Sequence, residues 1–166
     1  MLGSIVWLWM NSENHRNLPL HTLSTALLPA IKARQFVLAS EQGKAVFFAS
    51  WAMLNSSTEQ HYLDHHQLLM PQEHWQSGDR MWCIDWVAPF GHSKAMGYFL
   101  THQLMANCCA RSLYHRGREH GKRVQTFFGK LVSAQERRLW KAEHTIKHTD
   151  KNHSKNTMTD RDTHHE

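Results

Sequence analysis

Ser77-Gly78-Asp79-Arg80-Met81-Trp82-Cys83-Ile84-Asp85-Trp86-Val87-Ala88-Pro89-Phe90-Gly91 sets one carboxylate, Asp85, inside an otherwise apolar run. From Arg80 to Pro89 the stretch is rich in aromatic and β-branched residues, and Ser77-Gly78 and Pro89-Phe90-Gly91 bound it. That is the pattern of a strand between two turns. Strict alternation puts Met81, Cys83, Asp85 and Val87 on one face and Trp82, Ile84, Trp86 and Ala88 on the other. Both faces are mostly apolar, so the strand is expected to be central and packed on each side. An ionised carboxylate kept from water needs a cation or hydrogen-bond donors, or it takes up a proton. An arginine partner would make the pair an element of the fold. A histidine partner would make the imidazole an effective general base near neutral pH.

Working outward from this strand, Gln35 to Ser40 and Ala45 to Leu54 read as two strands joined by Glu41-Gln42-Gly43-Lys44, a β-hairpin link. Leu2 to Met10 is apolar and short, and serves as core in either a helix or a strand. It lacks a basic flank and is too short for a membrane span or a signal peptide. Asn11 to Pro19 is turn-forming and carries His15, while Leu20, Leu23, Leu27 and Ile31 recur at helical spacing, with Pro29 expected to end or kink that helix. Ser56 to Met70 is expected to hold one or two helical turns. Ser93 is expected to cap a helix with a buried stripe through Met96, Leu100, Leu104 and Cys108, running to near Gly117. Val124 to Phe128 reads as a strand and Ser133 to Trp140 as a helix. The expected fold is α+β: a single domain over residues 1–140, with a central mixed β-sheet flanked by helices. Residues 141–166 are polar and His-rich and read as a disordered tail.

The 166 residues suffice for one domain with a sizeable core. The formal charge of +5 is unevenly spread: residues 111–138 hold eight Lys/Arg against two Asp/Glu, whereas residues 1–110 hold six against seven. A basic strip of this kind suits an acidic partner. Of the three cysteines, Cys83 lies in the central strand, and Cys108 and Cys109 are expected on the helix. Their spacing fits neither a disulfide framework nor a metal site, which points to reduced thiols in the cytosol. The histidines of the tail have no fixed geometry, so no metal site is assigned.

Trp7-Leu8-Trp9, Ser12-x-x-His15-Arg16-Asn17-x-Pro19, Leu28-Pro29-Ala30-Ile31, Ser50-Trp51-Ala52 and the Ser77–Gly91 block, taken together, resemble the RTX toxin-activating lysine acyltransferases, the HlyC-like family. The resemblance covers residues 1 to about 130, with the blocks in the family's order. It implies a cytoplasmic enzyme of Gram-negative bacteria with a fold similar to the GNAT acetyltransferases. Such enzymes take a fatty acyl group from acyl carrier protein and place it on internal lysines of an RTX protoxin. No permanently bound cofactor is implied, and a homodimer is left open. The family's catalytic histidine falls on His15 and its catalytic aspartate on Asp85. Ser12 occupies the position of a serine near that histidine and enters as a further contributor. The phosphate-binding string of coenzyme A-using relatives has no good counterpart, since Arg118-Glu119-His120-Gly121-Lys122-Arg123 ends in arginine and runs into a strand.

The basic residues Arg116, Arg118, Lys122 and Arg123 are then the expected docking site for acyl carrier protein. Two rival readings stand beside this one. A nucleic-acid-binding module would use the strip from Arg111 to Arg138 with Tyr114, Phe127 and Phe128, but it leaves Asp85 and the His15 loop without a role. A catalytically silent homologue that only binds toxin or acyl chain is at odds with the presence of both His15 and Asp85.

Overall fold

The structure is a computed structural model that describes residues 1–65, 70–114 and 123–146. Five strands form one mixed sheet in the order β1-β2-β3-β4-β5: β1 (Phe36–Glu41), β2 (Lys44–Leu54), β3 (Arg80–Val87), β4 (Cys109–Tyr114) and β5 (Arg123–Phe128). All neighbours are antiparallel except β3 and β4, which run parallel and pair only over Met81–Cys83. The hairpin link closes through Gln42 and Gly43, both at positive φ (49° and 79°), the backbone of a two-residue turn whose twist matches its strands.

Helices cover both faces. On one face lie α1 (Leu2–Met10), a 3₁₀ turn (Leu20–Thr22), α2 (Leu23–Ala26), α3 (Leu28–Ala33) and α4 (Ser56–Asp64). Ile5 and Leu8 of α1 are fully buried against Phe48 and Val87, each side chain contributing about 1.5–3 kcal/mol. The single helix expected from Leu20 to Ile31 is instead broken at Leu27, and Pro29 sits in the first turn of α3, where its missing N–H is tolerated. Across the opposite face, α5 (Ser93–Phe99) and the π-helical turn Leu100–Leu104 cover Phe47 and Ala49. α6 (Ala134–Glu143) follows β5 behind a capping box in which Ser133 and Glu136 satisfy each other's backbone N–H groups.

The helix expected to reach Gly117 stops at Leu104, and Cys109 opens strand β4 rather than lying on a helix. Long-range backbone pairing outweighs the local apolar period here. Gly129 N donates to Cys108 O (2.8 Å), Lys130 N to Thr101 O (2.8 Å) and Leu131 N to Ala106 O (2.9 Å). Gly129 permits this approach, because a Cβ there would fall 2.2 Å from the Ala106 carbonyl oxygen. The stripe is only partly core: Leu100 is buried, whereas Leu104 is 53% exposed.

A second buried carboxylate, unremarked in the sequence, ties the sheet to its flanks. Glu59 of α4 is 2% exposed and accepts from Arg80, from Arg111 Nη1 (2.6 Å) and from Trp82 Nε1 (2.8 Å). Arg111 is thus buried and removed from the basic strip to which its sequence position assigned it. Its other amino group donates to the carbonyl of His144, and its guanidinium lies over the Trp140 ring (4.7 Å to the centroid). The boundary expected at residue 140 therefore falls inside α6, and His144 is buried with the body. Residues 147–166 lie outside the described residues.

A chain ending after Ile146 is predicted to keep full stability in urea. One ending after Trp140 loses the carbonyl that caps Arg111 and is destabilised by about 1–3 kcal/mol. Equal denaturation midpoints for the two truncations would contradict that assignment.

Candidate active site

The pairing of β2 with β3 decides where Asp85 points. Ser50 stands opposite Asp85 and Trp51 opposite Cys83, so Ile84 is an extra residue in β3, a β-bulge. Strict alternation placed Asp85 with Cys83. The bulge instead puts it on the face of Trp82, whose partner Ala52 shares a face with Ser50. That face is the one α1 covers.

α1 ends at Met10, and the chain turns back through a series of short hydrogen-bonded turns: Ser12 N to Trp9 O, His15 N to Ser12 O and Leu18 N to His15 O. The turn at Ser12 sets Ser12 and His15 side by side above the sheet. Ser12 Oγ lies 2.7 Å from His15 Nδ1, and His15 Nε2 lies 2.9 Å from Asp85 Oδ1. A carboxylate only accepts, so Nε2 carries the proton and donates to it. In the neutral imidazole Nδ1 is then the acceptor, and the Ser12 hydroxyl donates to it. Ser12, His15 and Asp85 thus form one directed chain of hydrogen bonds, and the imidazole nitrogen that would take up a proton faces Ser12.

Two further donors hold the carboxylate. Trp86 N–H donates to Oδ1 (2.9 Å) and Trp9 Nε1 to Oδ2 (3.1 Å), while the Trp9 ring packs on the His15 ring at 5.1 Å between centroids. The charge is compensated by hydrogen bonds and a histidine rather than by an arginine. Side-chain exposure is 14% for His15 and 12% for Asp85, so the pair sits at the edge of the core. Trp9 was not among the site residues expected from the sequence. The available signal was its place in a buried apolar helix, where an indole N–H must find an acceptor.

Cys83 is next to the site but is not a nucleophile. Burial, reinforced by the Asp85 charge, pushes its thiol up from 9 to about 12, so it stays protonated at neutral pH. Of the residues expected to dock a partner, Arg123 opens β5 with its guanidinium over the Tyr114 ring (4.4 Å). Arg116, Arg118 and Lys122, with the string that begins at Arg118, lie outside the described residues except for Arg123. Among the described residues no group of three His, Cys, Asp or Glu is arranged to hold a metal ion, and no helix is long and apolar enough to cross a membrane.

The family model of the RTX toxin acyltransferases matches residues 1–128, a span that includes the whole hydrogen-bonded chain from Ser12 to Asp85. The chain belongs to this acyltransferase family. Among its relatives, the protein-lysine myristoyltransferase RtxC of Kingella kingae is 44% identical over 137 residues, covering 80% of this chain and 78% of the relative. The leukotoxin-activating lysine-acyltransferase LktC (serotype A1) of Mannheimia haemolytica is 42% identical over 133 residues, covering 79% and 78%. The protein-lysine myristoyltransferase HlyC of Escherichia coli is 36% identical over 135 residues, covering 81% and 78%.

Two expectations follow from this geometry. Trp9→Phe keeps the ring but removes the donor to Oδ2, and acyl transfer should fall by roughly tenfold or more with the fold retained; unchanged turnover would contradict a role for the indole N–H. The Cys83 thiol is raised in the folded state, so it favours folding below pH 9, and that contribution fades as pH rises toward 12. Wild type should therefore lose stability across pH 9–12 more steeply than Cys83→Ala, as read by urea midpoints. Parallel curves would contradict the buried thiol.

Proposed function

We propose that this chain is a protein-lysine fatty acyltransferase that moves an acyl group from acyl carrier protein to the ε-amino group of internal lysines of an RTX protoxin. Family membership and the activities for which the relatives are named support the reaction class. The observation that carries the site is the Ser12–His15–Asp85 chain.

A lysine ammonium is not a nucleophile and must lose a proton before it attacks the thioester carbonyl. His15 receives that proton at Nδ1, through the Ser12 hydroxyl, which passes its own proton to the ring as it takes one from the amine. Asp85 holds the Nε2–H tautomer and stabilises the imidazolium. The new C–N bond forms, the C–S bond breaks, and the departing phosphopantetheine thiolate takes a proton from the imidazolium. The second proton of the original ammonium leaves to solvent. The short Ser12–His15 contact also favours a second route, in which Ser12 Oγ attacks the thioester first and the amine resolves an acyl-serine. Incubation with acyl carrier protein thioester in the absence of protoxin separates the two, because only the second route leaves an acyl group on Ser12.

The site calls for no resident cofactor in this reading; the phosphopantetheine thioester is a substrate. The reaction belongs in the cytoplasm, where acyl carrier protein is found and the three thiols stay reduced. Docking of acyl carrier protein is assigned to Arg116, Arg118, Lys122 and Arg123, with Arg111 excluded by its burial.

Co-expression with an RTX protoxin and intact-mass analysis should show fatty acyl groups on protoxin lysines. His15→Ala should lower turnover by roughly a hundred- to ten-thousandfold with the fold intact, and Asp85→Asn should lose most activity. Full acylation by folded His15→Ala protein would contradict the mechanism. Changing the four docking residues to Glu should raise KM for acyl carrier protein and flatten its salt dependence, with smaller changes in kcat. Unchanged kinetics, with loss of RNA or DNA binding instead, would replace docking by a nucleic-acid role.

A further inference from the structure

Directly across the β2/β3 pair from Asp85 stands Ser50. Its side chain is fully buried in the middle of β2, yet its hydroxyl meets no hydrogen-bond partner among the described residues. Leaving a buried hydroxyl unpaired destabilises a protein, and an alanine would fill the same place without that penalty. Asp85 presents the complementary deficit. An ionised carboxylate offers about four acceptor positions. On Oδ1 the two are taken by His15 Nε2–H and Trp86 N–H, while on Oδ2 only Trp9 Nε1–H is bound. Directly opposed residues of an antiparallel pair share a face, with Cβ atoms about 4.5–5.5 Å apart. A serine hydroxyl and an aspartate carboxylate span that gap through a change of the serine χ1 rotamer. The bulge at Ile84 creates this meeting, because without it Asp85 would face away from Ser50's side of the sheet.

We infer that Ser50 is a positioning residue of the site: its hydroxyl turns to donate to Oδ2 of Asp85 and completes the carboxylate's set of donors. The inference rests on the reading of His15 and Asp85 as one catalytic unit. With donors on both sides of each oxygen the carboxylate plane is fixed, and Oδ1 stays on His15 Nε2 while the ring gains and loses its proton. Ser50 is sealed from solvent, so it touches no substrate and acts only through Asp85. Its removal should therefore change kcat and leave KM alone.

A double-mutant cycle in urea tests this without any substrate. A hydrogen bond to Asp85 predicts that Ser50→Ala lowers the denaturation midpoint of the wild-type chain and that the loss vanishes in the Asp85→Ala background. A truly unpaired hydroxyl predicts the opposite, with Ser50→Ala neutral or stabilising in both backgrounds, and that result would overturn the inference. In parallel, turnover with myristoyl acyl carrier protein and an RTX protoxin should fall about tenfold or more in Ser50→Ala, with both KM values unchanged. Ser50→Thr, which keeps a hydroxyl on a side chain suited to strands, should restore it. Raised KM with unchanged kcat, or no rescue by threonine, would count against the inference. Absence of acylation by the wild-type chain would count against the acyltransferase reading instead, and the cycle would still decide Ser50.

Discussion

One extra residue in a central strand governs this site. Ile84 opposes nothing in β2, and the strand that follows it is turned so that Asp85 faces α1. A carboxylate set on that packed face has to be compensated, and the compensation organises everything nearby. Trp9 of α1, the backbone of Trp86 and the imidazole of His15 all converge on it. The loop after α1 is held by its own turns, and those turns place Ser12 on the far nitrogen of the same ring. Pairing the charge and building the Ser12–His15–Asp85 hydrogen-bonded chain are therefore one structural event.

The contrast with Glu59 sets Asp85 apart from a buried acid that only holds the fold together. Glu59 is more deeply buried and is bound by two guanidinium groups and an indole. Its partners are all donors with no lone pair to offer, so the cluster serves to lock α4, the sheet and the end of α6 together. Removing one member of such a cluster leaves buried charge behind, which is why it behaves as a structural lock. Asp85 is paired with an imidazole, which has one nitrogen that donates and one that accepts, and lies at the edge of the core. Position and partner together separate the two carboxylates into a fastening and a candidate active site.

Much of this was legible in the residues. The apolar run around Asp85 reads as a central strand, the Gly43 link as a hairpin, and the blocks shared with a known family lead to His15, whose contact with Asp85 the structure then displays. The parts that were not legible share a cause: they depend on partners distant in sequence. Alternation along β3 says nothing of a bulge, which exists only relative to β2. The apolar period after Ser93 suits a helix, but Cys109–Tyr114 is drawn into the sheet by β5 and by the close approach at Gly129. Arg111 looks like one more charge in a basic strip until Glu59, 52 residues earlier, is seen to bind it. For the same reason the folded body runs beyond Trp140, since the carbonyl of His144 is needed where Arg111 is buried.

The central claim is that Asp85 holds His15 in one tautomer, with Nε2 protonated and Nδ1 turned to the Ser12 hydroxyl. Long-range proton–nitrogen correlation spectra of the folded, ¹⁵N-labelled chain report the state of each ring nitrogen directly. With the ring neutral, the account predicts a protonated Nε2 and an unprotonated Nδ1 for His15, with the assignment lost in Asp85→Ala. A neutral His15 protonated at Nδ1 would contradict it.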